Sequence, residues 1–186
     1  TLGGAATISA YSGDITLSNA GTITGSGSTL TLAGTATGSS MASIVGTGAG
    51  GLTKTGTGTW TLSGASTYTG ATTVSAGTLK LGATGDATNT PLGTVGSGTT
   101  VASGATLDLN GYTLGTAEAL TLNGTGVGGT AGALANSSGT AVTYSGLLTL
   151  GSDATVNATG SITLSNAGTI TGSGSTLTLA GTATGS

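Results

Sequence analysis

Apolar residues in this chain recur as doublets separated by one polar residue: Ile15/Leu17, Leu30/Leu32, Trp60/Leu62, Leu79/Leu81, Leu107/Leu109, Leu120/Leu122, Leu148/Leu150, Ile162/Leu164 and Leu177/Leu179. Thr, Lys or Asp fills the middle position, and Gly, Ala or Ser usually follows within two residues. A period of two with one apolar side predicts short strands that bury one face, and no segment has a helical period. Successive doublets start 15, 30, 19, 28, 13, 28, 14 and 15 residues apart, mostly near 14 or twice that. Short strands joined by small-residue bends suit a sandwich or barrel of hairpins, or a solenoid that adds one rung per turn. Asn-Gly at Asn110 and Asn123 is the hairpin signal.

A longer recurrence favours the solenoid. Residues 13–39, GDITLSNAGTITGSGSTLTLAGTATGS, return at 160–186 with Ser161 in place of Asp14 as the sole difference, an offset of 147 residues. Stacked rungs extend without limit, whereas closed sheets do not. The chain therefore reads as a single β-solenoid segment over 1–186, with one unit at 13–159 and the start of a near-identical unit at 160–186. Beginning and ending in mid-pattern, it is expected to come from a longer array. About six to eight rungs are predicted per unit, each rising about 4.8 Å along the axis. Open ends predict head-to-tail association with copies of itself.

Composition narrows the functions. Of 186 residues, 39 are Gly, 44 Thr and 22 Ser, while Lys and Arg together number two and His, Cys and Phe are absent. Two cations exclude a basic nucleic-acid surface. Leu, Ile and Val total 34, a low figure, but a net charge of −3 is too small for the charged, disordered class. A single Pro excludes collagen. No run of 18 apolar residues predicts a membrane-spanning helix, so no membrane insertion of this segment is expected. Residues 1–30 carry no basic region followed by an apolar stretch, hence no signal peptide.

Residues 51–82 read GLTKTGTGTWTLSGASTYTGATTVSAGTLKLG. This resembles the autotransporter-associated β-strand repeat of type V secreted bacterial passenger domains, patterned L-x-K-x-G-x-G-x-L-x-L-x-G-x-x-x-Y-x-G-x-T-x-V-x-x-G-x-L. Leu52, Lys54, Gly56, Gly58, Leu62, Gly64, Tyr68, Gly70, Thr72, Val74, Gly77 and Leu79 fall in place. Trp60 stands where the pattern has Leu, and Ser66 where it often has Asn. The resemblance implies a right-handed parallel β-helix, exported to the bacterial cell surface or beyond, of the kind found in adhesins and long surface fibres.

The ionisable residues are Asp14, Lys54, Lys80, Asp86, Asp108, Glu118 and Asp153. They form no catalytic grouping in sequence, so we expect no enzyme, no catalytic residue, no cofactor and no metal site. Lys80 and Asp108, each flanked by leucines, are expected to point into solvent. Lys54 shares parity with Leu52 and Trp60, which predicts a rung corner with its stem packed and its amine at the surface. Trp60, Tyr68, Tyr11, Tyr112 and Tyr144 are candidate stacking platforms for sugars, so surface glycans or another cell stand as further partners. Thr-x-Thr pairs resemble the arrays with which some solenoids bind ice, but those repeat at constant spacing, and here the doublets are unevenly spaced. Asn123, Asn136 and Asn157 lie in N-x-S/T sequons.

The expected reading is a non-enzymatic repeat of a large exported surface protein, a rigid stalk or fibre in adhesion or cell-cell contact. The alternatives are a self-assembling filament subunit and a glycan- or host-binding adhesin module.

Overall fold

The computed structural model describes residues 1–182, so Ala183 to Ser186, the last part of the second repeat, lie outside the described residues. The chain coils through about eight turns of a β-solenoid, without an α-helix among the described residues. The first turn holds β1 (Ala6–Ala10), β2 (Thr16–Leu17) and β3 (Thr22–Thr24), the second β4 (Leu30–Gly34), β5 (Ser39–Met41) and β6 (Ile44–Gly46). Then come β7 (Leu52–Lys54) and β8 (Thr59–Leu62), β9 (Thr72–Val74) and β10 (Gly77–Leu81), β11 (Thr99–Val101) and β12 (Ala105–Asp108). The sixth turn has β13 (Leu120–Gly124), β14 (Leu134–Asn136) and β15 (Val142–Tyr144). The seventh has the long bent β16 (Leu148–Ala158) and β17 (Ile162–Leu164), and the last has β18 (Leu177–Gly181).

Every strand ladder is parallel. The first face stacks β1, β4, β7, β9, β11, β13 and the start of β16; the second stacks β2, β5, β8, β10, β12, β14, the end of β16 and β18. β3 with β6, and β15 with β17, mark the third face. The hairpin alternative fails because the Asn-Gly sites serve the coil. Asn110 takes a left-handed φ of 49° just after β12, and the Asn123 amide donates to the Val101 carbonyl one turn below at 2.8 Å.

Side chains of one parity fill the interior in columns. On the second face, Ser39, Trp60, Leu79, Leu107, Leu134, Val156 and Leu179 lie one above another in register. From Trp60 through Val156 this column is at most 5% exposed. A buried Leu contributes on the order of 2 kcal/mol, and its contacts come from neighbouring turns, so stability is shared between turns. The opposite parity on the first face makes an outward column of Thr7, Thr31, Thr53, Thr73, Thr100, Thr121 and Thr149. This stack is regular although the doublets are unevenly spaced along the chain. Hydrogen bonding between turns sets the register, and loops absorb the differences in length.

Candidate functional site

The 52–81 segment occupies two successive turns near the middle of the coil, and its inward residues close one corner. Lys54 continues an apolar column, between Leu32 below and Val74 above. Contrary to the surface position expected from sequence, the whole residue is buried, with no exposed area. Its Nζ donates to the carbonyls of Thr55 at 2.8 Å, Gly56 at 2.8 Å and Ala76 at 3.1 Å. At this corner carbonyls turn inward, and a long donor satisfies them better than an amine in water would. Burial lowers the amine's pKa from 10.5 to about 8.

Glycine is required beside that amine. Gly77 has φ +66°, and a Cβ there would run into the carbonyls of Gly58 and Gly56 and come 2.8 Å from Lys54 Nζ. Gly58, Gly64 and Gly70 lie against backbone carbonyls of the turn below, those of Ala36, Ser43 and Ala49 respectively. Leu52, Leu62, Val74 and Leu79 are core residues at 2% exposure or less. Trp60 is 1% exposed, and its Nε1 donates to the Ala33 carbonyl at 3.1 Å. Trp60 is therefore core and offers no face to a sugar; nor do Tyr68 and Tyr144, buried at 0% and 1%. Tyr112 is half-buried, and of the five aromatic residues Tyr11 alone is widely exposed.

Asp108 corrects another expectation. It is 5% exposed rather than solvated. The β10–β12 register sets Lys80 beside Asp108, and their charged atoms lie 3.4 Å apart. The carboxylate also accepts from Asn110 N at 2.9 Å, Ser137 N at 3.0 Å and Ser137 Oγ at 2.6 Å. Strand alternation sent Asp108 to the outer side correctly, but the bend at Asn110 and the loop at Ser137 fold over it. Asn136 is likewise no exposed glycosylation site: it is fully buried, with its amide donating to the Thr140 and Gly160 carbonyls. Asn157 is half-buried and donates to the Thr130 carbonyl at 2.8 Å.

Sequence reasoning assigned Glu118 no place, yet it is 1% exposed inside the coil. The signal was parity: Leu114, Thr116, Glu118 and Leu120 alternate inward. Its Oε1 accepts from Thr99 Oγ1 at 3.0 Å, while its Oε2 has no protein partner among the described residues. Nearby, Tyr144 OH donates to the Glu118 backbone carbonyl at 2.7 Å, and Tyr68 and Thr72 hydroxyls meet at 2.6 Å. Burial raises the Glu118 carboxyl from 4.5 to about 7, against a lowering contribution from Thr99. Burial also pushes both tyrosine hydroxyls well above their ordinary range, and the Glu118 charge adds to it.

A carboxyl whose folded pKa is raised contributes its full stability below about 4.5 and loses it as pH rises through about 7. The expected loss is about 3 kcal/mol. Urea unfolding at pH 5 and pH 7.5 should show the native protein weakening across that window, and Glu118→Gln should flatten the dependence. Unchanged pH dependence in the variant would remove Glu118 as its source.

Among the described residues, no group of three His, Cys, Asp or Glu is placed to hold a metal ion. No helix among the described residues is long and apolar enough to cross a membrane. Residues 52–81 match the family model of the passenger-associated-transport-repeat. No curated protein and no solved structure matches the chain. The buried Lys54 corner, the parallel coil around it and the family match identify residues 52–81 as an autotransporter passenger-like repeat built into a β-solenoid.

Proposed function

We propose that the chain is a non-enzymatic shaft segment of an exported bacterial surface protein, a rigid stalk or fibre that holds an adhesive part away from the cell or joins cells. The observation that supports this reading most is where its chemistry-bearing side chains are spent. Lys54, Glu118, Trp60, Tyr68 and Asn136 are all buried and bonded to backbone or hydroxyl groups of their own or adjacent turns. The first outer face carries a Thr column and the chain has little charge, which makes a wettable surface. Its partners in this reading are further copies of the unit along the axis. The passenger-like repeat supports export, since such repeats belong to secreted or surface proteins.

The test is whether the isolated chain binds anything. Fluorescently labelled protein titrated onto bacterial and host cells, and onto a glycan panel, should show no saturable binding. Saturable binding to one glycan class or cell type would overturn the shaft reading in favour of an adhesin module.

A further inference from the structure

The two copies of the repeated sequence lie on different faces of the coil. β1 and β4 pair in the register Ala6↔Leu30 to Ala10↔Gly34, on the first face. ATVNA at 154–158, which precedes the second copy as ATISA at 6–10 precedes the first, pairs with LTLAG at 177–181 in the same register, from Ala154↔Leu177 to Ala158↔Gly181. The flanking bonds recur as well: Leu2 N to Thr24 O at 2.6 Å is matched by Leu150 N to Thr171 O at 2.7 Å, and Thr35 N to Ala10 O by Thr182 N to Ala158 O. Local structure is thus copied, but the second pair belongs to the second face. Counting the ladders from β1 to the end of β16, one unit spans six turns plus one face of the three.

The upper end of the coil exposes apolar side chains whose counterparts lower down are covered. Leu179 is 72% exposed and Ile170 44%, and a recess of about 370 Å³ opens beside Ile162, Leu164 and Leu179. Leu32, the first-copy counterpart of Leu179, has no exposed area, because Lys54 of β7 lies in register above it. In that copy β5 covers β2 and β6 covers β3. Since the exposed turn has the sequence that β5, β6 and β7 cover elsewhere in the same molecule, and Ser186 matches Ser39 in sequence, its fitting occupant has the sequence of residues 40–54. A separate chain stacked end to end would bring β1 to β3 there instead, a set of neighbours found nowhere in the coil.

We propose that this apolar end face seats the next 147-residue unit, and that each unit is turned by one face, about a third of a revolution, relative to the unit before it. The proposal rests on the shaft reading and deepens it. A patch on one side of a unit, such as Lys80, Asp108 and Ser137, then points in three directions in succession and returns to its first direction after every three units. At about 4.8 Å per turn the unit advances about 30 Å and the three-unit period is about 90 Å.

The chain lacks cysteine, so single labels are easily placed. Thr100 is exposed on the outer side of β11, away from the end faces. The full chain extended to four consecutive units, with Thr100→Cys in each, would be labelled with gold clusters and imaged by electron microscopy. The expected result is a straight rod with labels on three sides, the first and fourth aligned about 90 Å apart. A straight rod with all labels in one row about 30 Å apart would overturn the rotation and leave the shaft standing. Rods kinked or beaded at each junction would overturn the seating, and compact particles would overturn the shaft itself.

Discussion

Trp60→Ala is expected to destabilise the protein by about 4 kcal/mol. The indole is 1% exposed and stacks between Ser39 below and Leu79 above. Ser39 is small, and Trp60 supplies the volume that a Leu at this position would leave unfilled. Truncation also strips the Ala33 carbonyl of the donor 3.1 Å away. Trp60→Leu keeps most of the packing and should cost about 2 kcal/mol. Urea unfolding checks both, and hydrogen exchange adds the location of the damage. In a stack of nearest-neighbour contacts, protection should fall first in β5, β8 and β10, with less change at β14. Equal losses for the two variants would mean that the indole's volume does not matter.

Gly77→Ala should cost a similar amount, about 4 kcal/mol, through two separate effects. The left-handed backbone conformation at φ +66° costs an alanine about 1–2 kcal/mol. The added Cβ must also displace the Gly58 and Gly56 carbonyls or the Lys54 amine, a local overpacking worth about 1–3 kcal/mol. Gly139 is the control, since a Cβ there meets nothing within 4 Å and its φ is ordinary. Thermal unfolding should separate Gly77→Ala clearly from wild type while leaving Gly139→Ala within about 0.5 kcal/mol of it. A Gly77→Ala protein as stable as the control would show that the Lys54 corner yields without cost.

The alternation of apolar positions was enough to identify strands and their inward sides, but Trp60 and Tyr68, expected as candidate platforms for sugars, are interior residues. The spacing of Leu52, Lys54, Gly56, Gly58, Gly64, Tyr68, Gly70 and Gly77 was enough to identify the repeat, because each of these glycines lies against the backbone of a neighbouring turn. The recurrence at 147 residues was visible by inspection. Even Glu118 was within reach through its shared parity with Leu114 and Leu120.

The relations between turns were beyond that reading. Equivalent residues in neighbouring turns lie 20 positions apart between Leu52 and Thr72 but 28 apart between Leu120 and Leu148. No fixed period along the chain predicts such pairs. Register is set by hydrogen bonds between backbones, and loops of any length are accommodated outside the ladders. For that reason the continuous Thr column, the Lys80–Asp108 pair and the carbonyls around Lys54 Nζ emerge only once the chain is coiled. The same freedom in turn length places two nearly identical segments on different faces. Side-chain chemistry along the chain selects the strands and their buried side, while the three-dimensional stacking of unequal turns selects which strands become neighbours and in which direction each outer face points.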